Sequence, residues 1–234
     1  GILQPKLFNL MFRKKLTLAD WLLIVANLVP VFGVWFLGWD PVEAFIVYAM
    51  ETMIVGILTV GKLLVATLAR GGDEWPANGT VTRQSGFFFI FFFILHFGIF
   101  ALVQTTIFSQ TAGITPPGSH TLHFFLKWYT YINEDIAYML AAFVISYLAK
   151  SFIPYILNDE YKTTPFMIIM FQPYGRILIQ QFTVILGSMF LTLGVGKVFV
   201  LIFSAAKIAF ELLIDYDKML NKTMENIKNR STKQ

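Results

Sequence analysis

The chain contains no cysteine in its 234 residues, and only 14% of it is charged. The missing thiol excludes a disulfide scaffold, an Fe–S cluster, a thiolate nucleophile and any Cys-ligated zinc. It says nothing about the compartment. The scarcity of charge says more, because a soluble domain carries about 25% charged and about 45–50% apolar residues. Here 56% is hydrophobic and 17% aromatic, with 25 phenylalanines, and the mean hydropathy is +0.66. Too little polar surface remains to cover a water-soluble globule of this size. Disorder, collagen and coiled coil fail on the same figures. No P-loop, GxSxG, HExxH or dinucleotide fingerprint occurs, so enzymatic chemistry has no motif to stand on. What is present is an integral membrane protein.

A span needs about 20 mostly apolar residues, because every backbone group in lipid must be satisfied within a helix. Six such stretches are expected, about Leu16 to Leu37, Val42 to Leu68, Gly86 to Phe108, Ile132 to Ile156, a span within Phe166 to Leu193, and Val195 to Ile214. Gly38-Trp39-Asp40-Pro41 is a turn signal between the first two, and Pro173 is expected to start or kink the fifth. The apolar runs are continuous rather than alternating, which excludes a transmembrane barrel. The fold class is therefore all-α, a polytopic six-helix membrane bundle. It divides into a basic segment 1–15, a transmembrane domain 16–214 and a polar tail 215–234.

Lys6, Arg13, Lys14, Lys15, Arg70, Arg83, Lys150, Lys162 and the tail lysines and arginine fall on one side of this arrangement. Only Lys127 and Lys197 fall on the other. By the positive-inside rule both termini are expected to be cytoplasmic. No signal peptide is expected, since no small-residue cleavage site follows the basic N-terminus. The net charge of +4 and pI near 9.2 suit contact with anionic headgroups of the bilayer, not nucleic acid. Asn78-Gly79-Thr80 matches a glycosylation sequon but lies on the cytoplasmic side. His120 and His123, in an interfacial segment between Ser109 and Tyr131, are spaced to share a helix face.

Ionisable side chains inside a membrane cost roughly 2.5–3.5 kcal/mol each on insertion scales, so those that persist carry the functional signal. Glu51, His96 and Lys207 fall mid-span; Lys62, Arg176, Glu211 and Asp215 fall toward the cytoplasmic half. Tyr48, Glu51, Val55, Leu58 and Lys62 share one helical stripe, and Ser204, Lys207, Glu211 and Asp215 another. Glu51 and Lys62 are about 16 Å apart along their axis and cannot pair, so each wants a partner elsewhere. The simplest arrangement is a polar seam, with Glu51 against Lys207 or Arg176. Such a seam is structural glue, a solute or proton path, or a ligand site. His96 could relay protons, bond to a neighbour or contact a haem or pigment, but bis-His haem ligation lacks its second histidine. No cofactor and no metal are expected. Gly56, Gly61, Gly98, Gly187 and Gly194 would let helices approach closely.

The order of Tyr48-x-x-Glu51 with Lys62, His96-Phe97-Gly98-Ile99-Phe100, Pro173-Tyr174-Gly175-Arg176-Ile177, and Lys207 with Glu211 resembles a family of uncharacterised prokaryotic multi-pass membrane proteins, a domain of unknown function. That family's pattern has histidines where this chain has Gln104 and Gln181. Glutamine keeps hydrogen bonding but loses proton exchange and good metal ligation. The resemblance implies a shared polar centre and a place in a prokaryotic inner membrane, and supplies no activity. A membrane-embedded enzyme, or a binder of lipid, quinone or pigment, is one reading, and two further functions compete with it. One is a small-solute or ion transporter lined by Glu51, His96, Arg176, Lys207 and Glu211. The other is a non-catalytic subunit or scaffold, partnered by other membrane subunits or by copies of itself.

Overall fold

The computed structural model describes residues 16–213 apart from 78–79, 117 and 121, together with 220–223 and 225–226. It is mostly helical. Helix α1 (Leu18–Phe32) opens with a capping box in which Thr17 and Asp20 satisfy each other's orphan backbone donors. It runs on as a π-helical turn, Gly33–Leu37, and stops at Gly38 with φ 76°. The Trp39 ring folds back onto Gly33, where a Cβ would lie 1.8 Å from it.

Helix α2 (Pro41–Arg70) starts with Asp40 accepting from the Val42 N–H and proline at the first turn, and ends at Gly71 with φ 74°. At 1.5 Å per residue its 30 residues reach about 45 Å, longer than the hydrocarbon thickness. Helix α3 is Gly86–Thr111, α4 is His123–Lys127 with a 3₁₀ turn Trp128–Tyr131, and α5 is Glu134–Tyr147. A π-helical turn, Leu148–Phe152, joins α5 to α6 (Ile153–Leu157). Then follow α7 (Glu160–Thr163), α8 (Phe166–Thr192) and α9 (Gly196–Leu213). Pro173 lies inside α8 rather than at its start.

One element departs from the all-α expectation. Strands β1 (Gly72–Ala77) and β2 (Thr80–Ser85) form an antiparallel hairpin between α2 and α3, with Trp75 opposite Thr82. Trp75 anchors it, packing edge-on against Phe88, Phe89 and Phe92 at centroid distances of 5.3, 5.7 and 5.3 Å. In the sequence, Asn78-Gly79 between these two runs is a turn signal suited to a hairpin.

Four helical segments among the described residues are long and apolar enough to cross a membrane: Leu18–Leu37, Pro41–Arg70, Gly86–Gln110 and Glu134–Leu157. Their outward faces are bare hydrocarbon, as at Phe87, Phe91, Ile94 and Leu95 on α3. These observations make the chain a membrane protein of the helical class.

Polar contacts at the helix ends give the relative directions. Lys150 faces Asp20 at 3.7 Å, and the Arg70 guanidinium donates to the Thr164 carbonyl at 2.5 Å. The start of α1, the end of α2, the end of the α5–α6 unit and the start of α8 therefore share one end of the bundle. At the other end the Asn133 amide donates to Glu43, and the Trp35 indole donates to the Lys197 carbonyl at 3.2 Å. Here lie the starts of α2, α5 and α9.

Helix α2 is the hub, packed by α3, α5, α8 and α9. Between lipid-immersed helices there is little hydrophobic drive, so close fit matters more than in water. Gly56 and Gly187 provide it: a Cβ on either would lie 2.6 Å from the Phe97 ring or 2.0 Å from the Phe45 ring, respectively. Gly98 has open space around it and Gly194 is a turn residue with φ 75°, so neither acts as a contact glycine. Gly56→Val is expected to push α3 off α2 at a cost of roughly 1–3 kcal/mol. A shortened half-life of the monodisperse peak in size-exclusion chromatography after heating would report it.

Candidate functional site

Tyr48 and Glu51 stand one turn apart on α2, as Ser204 and Lys207 do on α9. The two helices start at the same end, so the two i,i+3 pairs meet rung for rung. Tyr48 and Ser204 share a hydrogen bond of 2.9 Å, and the Lys207 ammonium is in direct ion-pair contact with Glu51 Oε2. The second carboxylate oxygen, Oε1, accepts from the Tyr147 hydroxyl of α5 at 2.6 Å. Glu51 is 1% exposed and Lys207 3%.

Rings complete the enclosure. Lys207 Nζ lies 4.5 Å from the centroid of Phe143 and 5.7 Å from that of Tyr48, within cation–π range. Tyr48 in turn packs edge-on to Phe143 and Phe203. A charged pair so placed is strongly attracted because little water screens it, and expensive to leave half-made.

Glu51 and Lys207 meet as the expected seam requires, while other groups expected in the polar core lie apart from them. His96 of α3 takes Tyr174 of α8 instead of Glu51, with Nδ1 2.6 Å from the hydroxyl, between the rings of Phe92 and Phe100. This leaves His96 half-buried in an aromatic cluster of its own. Gln104 is buried and accepts from the Thr52 hydroxyl at 3.1 Å; its amide nitrogen has no partner among the described residues. Glu211 is half-buried, one turn beyond Lys207. The side chains of Arg176 and Gln181 lie outside the described ones, as does Asp215 altogether. His120 precedes α4, whose first residue is His123, so the two do not share a helix face.

Lys62, three turns along α2 from Glu51, is 7% exposed and donates to Ser151 Oγ at 2.7 Å in the π-helical turn. Tyr155, over whose ring Lys62 Nζ sits at 5.0 Å, donates to the Lys62 carbonyl at 3.0 Å. Beside these groups is a cavity of about 180 Å³, lined among others by Lys62, Tyr147, Lys150, Ser151, Glu160 and Gln172. The cavity thus touches Tyr147, whose hydroxyl is bonded to Glu51.

A family of unknown function, DUF6498, matches residues 9–231. The chain belongs to this family. No curated protein and no solved structure matches the chain. The DUF6498 match covers every residue of the buried pair, its tyrosines and the cavity.

Sequence reasoning did not single out Tyr147, Ser151, Glu160 or Gln172. Tyr147 and Ser151 are four apart, one helical turn, which is a legible signal for a shared face. Their relation to α2 is not. Outside the spans, the Lys162 ammonium donating to Asp159 holds that carboxyl below its ordinary range and raises the lysine. The pair is exposed and contributes little to stability.

Proposed function

We propose that this protein is a membrane transporter of a small solute or ion, with the Glu51–Lys207 pair as the exchangeable site in its core. The observation that carries this reading is the continuity from the cavity to Tyr147, and from the Tyr147 hydroxyl to Glu51 and Lys207. A pair serving only to set helix register needs no cavity at its flank. A solute or proton that reaches Tyr147 competes for the oxygen atoms of Glu51, and Lys207 is the counter-charge it displaces. Charged groups inside membranes mark such pathways.

The reading includes a six-span arrangement. Helices α8 and α9, of 27 and 18 residues, join the four long apolar segments as the fifth and sixth spans. Both termini and the hairpin then face the cytoplasm of a prokaryotic inner membrane, in line with the Lys/Arg distribution. The absence of native cysteine makes a direct test simple. Single cysteines at Thr82→Cys in the hairpin and His120→Cys before α4 are treated with an impermeant maleimide on whole cells. His120→Cys is expected to label, and Thr82→Cys only after permeabilisation. The reverse pattern, or labelling of both, contradicts the orientation.

A second reading, a non-catalytic subunit, draws on the buried, ring-enclosed setting of the pair, since buried ion pairs can serve register alone. The experiment that separates the two is flux in reconstituted liposomes. Protons, sodium, potassium, chloride and an amino acid are followed against protein-free vesicles. Transport predicts a flux that Glu51→Gln abolishes; no flux of any of these overturns it.

A further inference from the structure

The hairpin at the end of the bundle leaves one strand edge open. The Gly86 N–H donates to the Gly71 carbonyl at 2.8 Å, continuing the register in which Trp75 stands opposite Thr82. Antiparallel pairs alternate between bonded and non-bonded. Counting from Gly71 and Gly86, the bonded pairs are therefore Asp73 with Gln84 and Trp75 with Thr82. The non-bonded pairs are Gly72 with Ser85, Glu74 with Arg83 and Pro76 with Val81, and their backbone groups point away from the partner strand. The two edges are not alike. On β1, position 76 is proline and has no N–H to offer, and the Glu74 N–H is taken by Asp73 Oδ1 at 2.8 Å. Such devices blunt an edge against pairing. On β2, the outward groups belong to Val81 and Arg83. None of these four N–H and C=O groups has a partner among the described residues, and Val81, Thr82 and Arg83 are all exposed.

We infer that the β2 edge is an interface between two copies of this chain, paired antiparallel about Thr82. The edge is complementary to itself. Turned by a two-fold axis, Val81 of one copy stands opposite Arg83 of the other, and the two residues exchange both N–H···O=C bonds. This rung occurs twice, so every outward group of Val81 and Arg83 is used on both strands. Thr82 meets Thr82 in the non-bonded place between the rungs, where Cα atoms approach to about 4.5 Å. No like charges face each other, since Arg83 has valine across the new pair and Glu74 across its own hairpin. The two-fold axis is perpendicular to the sheet. The sheet face that carries Trp75 is turned to the first turns of α3, so this axis can run along the membrane normal, as two copies in one bilayer require. A second copy also presents its edge on the same side of the same membrane. Confinement there raises its effective concentration, so a short pairing suffices to select the orientation. The pairing does not depend on the transport reading.

The test uses the full chain in its membranes, where the absence of native cysteine gives a clean background. Thr82→Cys is oxidised with copper phenanthroline and read as a dimer on non-reducing gels. Cysteines with Cα atoms about 4.5 Å apart lie within the roughly 4.4–6.8 Å that a disulfide spans. Gln84→Cys, on the same sheet face, is the control, because its counterpart on the other copy stands about 14 Å along the strand. Thr82→Cys is expected to link at least tenfold faster than Gln84→Cys. Val81→Pro combined with Thr82→Cys should link at least tenfold more slowly than Thr82→Cys alone. Proline there removes an outward N–H from each copy and none of the hairpin's own bonds. Should the proline variant lose its monodisperse peak, the contrast between Thr82→Cys and Gln84→Cys decides alone. No dimer at Thr82→Cys, equal rates at the two positions, or an unchanged rate in the folded proline variant overturns the inference. So does a Thr82→Cys adduct with a different protein in place of the dimer. None of these outcomes bears on flux, so the transport reading stands or falls separately.

Discussion

Glu51→Ala is expected to destabilise the protein by about 3–5 kcal/mol, the cost of leaving one buried charge without its partner. Lys207 is 3% exposed, and its ammonium is surrounded by Phe143, Tyr48 and the carboxylate. Without Glu51 it keeps its rings and loses the Glu51 counter-charge, and the Tyr147 hydroxyl loses the Glu51 oxygen it donates to. Lys207→Ala should cost a similar amount, by removing the counter-charge of the carboxylate. The double variant Glu51→Met/Lys207→Met behaves differently. Methionine approximates the volume of either side chain, and replacing a whole buried pair by apolar residues is commonly neutral or stabilising by about 1–4 kcal/mol. Thermal unfolding in detergent, followed by tryptophan fluorescence, reads the contrast. Each single variant should melt roughly 10 °C lower, and the double variant within a few degrees of the parent. Single and double variants that melt alike would show that the pair is not the coupled unit described.

The second large effect concerns activity. The double variant is predicted to fold and to carry no flux, because the exchangeable site is gone while the helices remain in place. Tyr147→Phe should retain part of the rate: it removes one donor to Glu51 and keeps the ring that shapes the cavity. A hydrogen bond to a charged group contributes about 1.5–3 kcal/mol. Lost at the rate-limiting step, that is a slowing of roughly tenfold to a hundredfold. Register glue predicts the opposite order, with the double variant as active as the parent.

Much of the helical skeleton was legible because lipid leaves the backbone so few choices. The stripes Tyr48–Glu51–Val55–Lys62 and Ser204–Lys207 follow from 3.6-residue periodicity, and their buried members lie inward as the period requires. What periodicity does not contain is the rotation of one helix about its axis relative to the next. Glu51 could be offered Lys207 or Arg176 from the sequence alone; the register of α2 against α9 brings Lys207. For the same reason Tyr147 was not singled out, and the neighbour that His96 would bond to could not be named. Its actual partner, Tyr174, stands 78 residues away on α8. The hairpin was missed for a different reason. Glu74 and Pro76 are poor strand residues, and the hairpin is held by Trp75 packing onto α3, a tertiary contact with no local signature.

The most direct test of a functional polar core is flux through liposomes containing the parent protein or the folded Glu51→Met/Lys207→Met variant. Proton entry is read by an enclosed pH-sensitive dye, other ions by selective indicators, and a tritiated amino acid by filtration. The account predicts a flux above empty vesicles for the parent and none above that background for the variant. A variant carrying flux at the parental rate, or a parent indistinguishable from empty vesicles, would contradict it.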